Sequence, residues 1–207
     1  MHIYTPNLYA VILAGGKGTR MRNEDKPLIQ LNEKPLIQWA VQKIQNHVGK
    51  VIISANHNLD RYQYLQLDLV SDIYEKYKGP LVGIYSAMKW IQNNVTEAPP
   101  SALLCIPGDV PFFPNDLISK LWEEFSKTNC EVVSCESDGQ IQPLFSIWSL
   151  SSTEKLYSAI NRGLFGPKLV LPLLDSRVIS VTKASEVEFF NVNNQESLKH
   201  LQKLINS

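Results

Sequence analysis

"AVILAGGKGTRMRNEDKPLIQL", residues 10–31, decides how the rest of the chain is read. An apolar run ends in Gly15, Gly16 and Gly18, and Lys17, Arg20, Arg22 and Lys26 follow before the chain turns apolar again. A strand running straight into glycines offers successive backbone N–H groups, and glycine lets a ligand approach the main chain with no Cβ in the way. With cations close behind, the arrangement suits an anion. The length of the loop, residues 15–26, suits a lid over a chain of phosphates. Two common phosphate loops do not fit. No Gly-Lys pair is followed by Ser or Thr, and G-x-G-x-x-G read from Gly16 meets Met21 in its last position. A solvated basic turn is the plainer reading, and the strand in front of it favours phosphate.

The composition keeps that anion local. The chain has 207 residues, a formal charge of zero from 20 basic and 20 acidic side chains, and 44% hydrophobic residues. That predicts one globular domain over 1–207 with a sizeable core and no global field toward nucleic acid or anionic lipid. The opening "MHIYTPNLYAVILAGG" has no basic n-region, and its apolar run is too short for a signal peptide or a membrane span, so the expected compartment is the cytoplasm. Three cysteines without a CxxC pair argue against a disulfide framework or a zinc knuckle, and the four histidines have no metal-ligand spacing.

Short apolar runs at 8–14, 50–54, 67–73, 101–106 and 130–135 read as strands, aliphatic nearly throughout, as in a sheet covered on both faces. Helical patterns fill 35–48, 80–94 and 114–127, each with proline near its first turn. The alternation predicts an α/β fold with a mostly parallel central sheet. Beyond it a strand at 142–149 follows the turn "SDGQ". Helices at 151–161, 163–175 and 194–206 and strands near 177–182 and 187–192 complete the reading.

A second strand end carries an acid. In "LLCIPGDVPFFP" (103–114) aliphatic residues run into Pro107, Gly108 and Asp109. A carboxylate on a rigid strand terminus is a natural Mg²⁺ ligand where a triphosphate is also held, because both offer hard oxygen. Capping of the next helix is the rival role, and Asp116 is better placed for it.

At this point the residues resemble a family. "LAGGKGTRM…DKPL…KPLI" is similar to the opening signature of the nucleoside-triphosphate-dependent nucleotidyltransferases. With "GPLVG" (79–83), "CIPGDVPFF" (105–113), "QPLFSI" (142–147) and "NVN" (191–193) in family order, the chain most resembles the molybdenum cofactor guanylyltransferases. The resemblance implies a Rossmann-like three-layer α/β/α fold of the nucleotide-diphospho-sugar transferase type, its N-terminal half binding nucleotide and its C-terminal half the acceptor. It implies transfer of GMP from GTP to the terminal phosphate of molybdopterin with release of pyrophosphate. Arg20, Lys26 and Asp109 are the expected catalytic residues. Leu13, Ala14, Gly15, Gly16, Lys26, Ser54, Asp72, Gly79, Pro80, Leu81 and Asp109 are expected around the nucleotide, with Asp72 reading guanine. Mg²⁺ is expected on Asp109 and Asn193, and the acceptor on Lys168, Asn191 and Asn193. Cofactor-insertion proteins or molybdoenzymes are the implied protein partners, with neither nucleic acid nor membrane.

The chain departs from the family pattern in places. Asn-Ala-Asn after the second strand is here Ser54-Ala55-Asn56, and Gly-Gly after Arg20-Met21 is here Arg22-Asn23. The Thr-Pro that follows the asparagine motif is replaced by Asn194-Gln195. Two rival readings follow. One is a sister enzyme using CTP or a sugar- or polyol-phosphate acceptor. The other is a non-catalytic nucleotide-binding adaptor in cofactor delivery.

Overall fold

β1 (Thr5–Leu13) is the strand around which the others are placed. It is followed by the small strands β2 (Gln30–Leu31) and β3 (Lys34–Pro35), helix α1 (Leu36–Ile44), β4 (Val48–Ser54), β5 (Asp68–Val70), α2 (Pro80–Asn94) and β6 (Ala102–Pro107). Then come α3 (Leu117–Thr128), β7 (Val132–Ser137), β8 (Gln140–Ser149), α4 (Thr153–Asn161), α5 (Pro167–Val170), β9 (Ser176–Ser180) and α6 (Gln195–Asn206). The computed structural model describes residues 4–15, 25–74 and 79–206.

Seven strands form one sheet in the order β5-β4-β1-β6-β8-β7-β9. Pairs β5–β4, β4–β1, β1–β6 and β7–β9 are parallel, and β8 runs antiparallel to both β6 and β7. The side-chain period of two sends alternate residues of each central strand to opposite faces. Leu8, Ala10 and Ile12 of β1, with Val51 and Ile53 of β4 and Leu104 and Ile106 of β6, enter one apolar core. Val11, Ile52, Leu103 and Cys105 enter the other. Helices α1 and α3 cover the first face through Ile37, Ala40, Ile44, Leu117 and Leu121. Helices α2 and α4 cover the second through Val82, Ile84, Met88, Ile91, Leu156 and Ile160. Because both faces are covered, the strands carry few polar residues. The result is the expected three-layer, mostly parallel α/β architecture.

The strand order puts a crevice at one place. From β1 the chain moves to β4 and β5 on one side, then crosses through α2 to β6 on the other. The carboxyl end of β1 is therefore the point where connections diverge, which is where open α/β sheets bind ligands. Backbone bonds stitch that end together. Ala14 N–H donates to Ser54 O at 2.7 Å, Ala55 N–H to Val70 O at 3.0 Å and Gly108 N–H to Leu13 O at 2.9 Å.

A third, smaller core joins the β2–β3 hairpin to the C-terminal segment. Ile29, Leu31 and Leu36 pack there with Val192, Leu198 and Leu201, and half-buried Trp39 and Phe112 close its side. The hairpin turns on Asn32 and Glu33, both at positive φ (50° and 63°), the backbone of a tight two-residue connection. The same chemistry closes β7–β8 at Asp138 and Gly139, within the expected "SDGQ" turn.

Three expectations need correction. Residues 187–192 do not form a strand, because their backbone is spent on a loop. Phe189, at φ 61°, donates to Phe112 O at 2.9 Å, and Val192 N–H donates to Asp109 O at 3.1 Å. The helix expected over 163–175 shrinks to α5 and one 3-10 turn, Leu171–Leu173, where Pro172 removes a donor. Asp116 does sit at the start of α3, but its carboxylate pairs with Lys120 at 2.8 Å and caps nothing. No described helix is long and apolar enough to cross a membrane.

Leu104 is fully buried in β6 at the middle of the first core. Leu104→Ala is expected to cost about 2–5 kcal/mol in urea unfolding. Leu169→Ala, at a position 56% exposed, is expected to stay within about 0.5 kcal/mol of the parent. Equal losses at the two positions contradict the two-faced core.

Candidate active site

A cavity of about 220 Å³ opens where the carboxyl ends of β1, β4, β5 and β6 converge. Leu13 and Gly15 leave β1, Ser54 ends β4, Asp72 follows β5, and Pro107 and Asp109 leave β6. Gly79, Pro80 and Gly83 bring in the first turn of α2. The facing wall is Lys26 and Pro27, Leu144 of β8, and Asn191 and Asn193 of the C-terminal segment.

Each side chain has a local reason to be there. Lys26 opens a 3-10 turn whose next two residues, Pro27 and Leu28, are buried and fix its base. Its ammonium donates to Asn193 Oδ1 at 2.7 Å and lies 3.9 Å from Asp109 Oδ2. Asn193 is delivered by its neighbour. Val192 is fully buried in the third core and tied to Asp109 O, so the residues on either side of it border the cavity. The capping of α6 falls to Asn194, whose Oδ1 accepts from Ser197 N–H at 2.8 Å. Asn193 is thereby left for Lys26.

Gly83 is the close approach on the opposite side. A Cβ there stands 2.8 Å from Ser54 Oγ and 3.0 Å from Leu13 Cδ2, too near for either. Its absence lets α2 open its first turn directly onto the strand ends.

Both cavity carboxylates are held in their acid direction by burial. Burial pushes the Asp109 carboxyl above its ordinary value, with the Lys26 ammonium and a backbone hydrogen bond pulling the other way. Burial raises Asp72 as well, and a hydrogen bond from Asn56 works against it. A carboxylate in this state gains by meeting a cation or an N–H donor, since either restores what burial took from the charged form.

Among the described residues no three His, Cys, Asp or Glu side chains converge as a metal cage. Asp109 and Asn193 supply two oxygens around one ammonium. That sparse, hard donor set fits Mg²⁺, which keeps several waters and draws further oxygens from substrate phosphates.

The structure thus brings together Leu13, Gly15, Lys26, Ser54, Asp72, Gly79, Pro80, Asp109, Asn191 and Asn193. Ala14 and Leu81 are buried beside the cavity without bordering it, and Leu81 gives its N–H to Phe165 O at 3.0 Å. Lys168 is exposed on α5, outside the cavity lining. Gly16 and Arg20 lie outside the described residues. Sequence reasoning passed over Pro27, Leu144 and Asn56. Leu144 lies within the quoted "QPLFSI", and Asn56 ends the Ser-Ala-Asn tripeptide, so the signals were present without a role attached.

A family model described as the MobA-like NTP transferase domain matches residues 10–173. The molybdenum cofactor guanylyltransferase of Yersinia pestis (strain Pestoides F) is 30% identical over 188 residues, covering 91% of each chain. Molybdopterin-guanine dinucleotide biosynthesis protein A from Archaeoglobus fulgidus superposes with a TM-score of 0.75 at 20% identity, over 96% of this chain and 98% of that one. A CMP:2-keto-3-deoxy-manno-octonic acid synthetase complexed with CTP superposes with a TM-score of 0.70 at 10% identity, over 96% and 97%.

The raised Asp109 carboxyl has a measurable sign. Its protonated form favours the fold fully below the ordinary value of 3.8, and that contribution is lost as pH rises through the raised value. Above it, the buried charge weighs on the folded state. Asp109→Asn is therefore expected to melt higher than the parent near pH 8 in EDTA, with the gap closing as pH falls toward about 4. A gap independent of pH contradicts the assignment.

Proposed function

Because this chain belongs to the MobA-like NTP transferase family, we propose that it transfers GMP from GTP to the terminal phosphate of molybdopterin or its molybdenum-loaded form. The single observation that carries this reading is the Lys26–Asn193–Asp109 contact, with its distances of 2.7 and 3.9 Å. It sets a cation and two oxygen donors in a crevice whose other wall is glycine, Ser54 and Asp72. A pure binding adaptor has no need of that polar junction.

In the proposed reaction an oxygen of the acceptor's terminal phosphate attacks the α-phosphorus of GTP. The bond from that phosphorus to the oxygen bridging the β-phosphate breaks, and pyrophosphate leaves with the electron pair. No covalent enzyme intermediate is needed, so the work is positioning and charge stabilisation. In this reading the backbone N–H of Gly15 serves the phosphates, and Lys26 offsets charge on the transferred group. Arg20, outside the described residues, is the proposed second cation of this clamp. Asn191 and Asn193 face the acceptor, and Asp72 accepts from guanine, whose N1–H and exocyclic amine are donors that adenine lacks in that pattern. Asp109 and Asn193 would hold Mg²⁺, which would supply positive charge against the triphosphate.

One observation favours a second reading. The fold also serves a protein complexed with CTP, and Ser54 stands where the guanylyltransferase pattern has asparagine. A CTP-dependent sister enzyme is therefore the alternative.

Melting curves with GTP, CTP, UTP and ATP, each with Mg²⁺, separate the two, because a ligand that binds only the native state raises Tm by mass action. Stabilisation confined to GTP is expected, and a preference for CTP transfers the assignment to the sister enzyme. With molybdopterin as acceptor, Lys26→Ala is expected to slow pyrophosphate release about a hundredfold or more. Undiminished release in that variant removes Lys26 from the chemistry.

A further inference from the structure

We infer that Asn56 is a positioning residue for base selection: it clamps Asp72 from two sides and so fixes the carboxylate that faces the nucleobase. The inference rests on the proposed reading of Asp72 as the guanine acceptor and extends it to a residue that borders neither the cavity nor the phosphates.

The geometry is reciprocal. Asn56 Nδ2 donates to Asp72 Oδ2 at 2.8 Å, and Asp72 N–H donates to Asn56 Oδ1 at 2.8 Å. One carboxamide therefore engages both the side chain and the backbone of the same residue. The neighbouring backbone is held as well. Ala55 N–H bonds to Val70 O, Ser71 Oγ donates to Ala55 O at 3.1 Å, and Ile73 N–H bonds to Ser86 Oγ at 3.0 Å. With Oδ2 committed to Asn56, Oδ1 is the oxygen on the cavity side, 3.6 Å from where a Cβ on Gly83 projects. A carboxylate on a loop otherwise rotates about χ2 at little cost, since that torsion is broad. Here rotation breaks a charge-assisted hydrogen bond.

Gly15 belongs to the same device. A Cβ at position 15 stands 3.0 Å from Asn56 Nδ2. Any larger residue there leans on the amide that holds Asp72. The start of the glycine loop and the base-facing acid thus meet at one side chain.

The test uses the full chain and reads two quantities, Tm without ligand and the ratio of GTP to ATP affinity with Mg²⁺. Asn56→Leu keeps the size and removes both hydrogen bonds. It is expected to lower the GTP/ATP ratio about tenfold or more while leaving ATP affinity unchanged. Gly15→Ala is expected to lower the ratio in the same direction. The exchange Asn56→Asp with Asp72→Asn rebuilds a clamp with its polarity reversed and leaves a neutral amide oxygen toward the cavity, so it is expected to recover Tm and only part of the GTP/ATP ratio. If Asn56→Leu lowers Tm and leaves the ratio intact, Asn56 is a structural clamp alone and the inference is wrong. Asp72→Asn by itself separates the layers. A ratio unchanged in that variant overturns the reading of Asp72 and this inference with it. A ratio lost there but kept in Asn56→Leu overturns only the role of Asn56.

Discussion

The Lys26–Asn193 hydrogen bond joins residues 167 positions apart, and the rest of the site is organised around satisfying it. A half-buried ammonium needs acceptors, and two come from elements distant in sequence. Asp109 comes from the neighbouring strand end and Asn193 from the far end of the chain. To bring Asn193 there, Val192 is sunk into the third core with Ile29, Leu31 and Leu36, and Ile29 N–H donates to Lys26 O at 3.1 Å. Lys26 and Asn193 are both tied to that small core, Lys26 through Ile29 and Asn193 through Val192.

The same economy explains why two acids are buried at the strand ends. Asp72 and Asp109 sit on opposite sides of β1, each raised by burial and each relieved by one specific partner, Asn56 for the first and Lys26 for the second. Carboxylates left short of donors are poised for ligands that bring positive charge or N–H groups. A nucleoside triphosphate with its divalent cation brings both, at the two ends of one molecule.

Much of this was legible because its signals are local. Strands buried on both faces show as unbroken aliphatic runs, and glycines, lysine and aspartate at the strand ends stand out by contrast. The β2–β3 hairpin was not legible, since two-residue strands carry no period and Asn32-Glu33 is a weak turn sequence. Residues 187–192 misled for the opposite reason. In "EVEFFNV" Val187, Phe190 and Val192 enter the third core, Phe189 packs on the first and Asn191 borders the cavity, with no ladder beside them among the described residues. Asn56 illustrates a third limit. Its partner is Asp72, and that pairing exists only once β4 and β5 are known to be neighbours. Lys168 marks a limit of carrying roles across by motif alone, because the short α5 turns it to solvent.

The placement of Val192 also has a temporal side. As the chain leaves the ribosome, the strands whose ends form most of the cavity, β1 through β6, emerge well before residues 187–201. The third core cannot close on a nascent chain, because half of its apolar residues have yet to be made. Until they arrive, Lys26 has no Asn193 to meet. The Lys26–Asn193 contact therefore forms only after residues 187–201 have been made, later than the strands that build the other wall of the cavity.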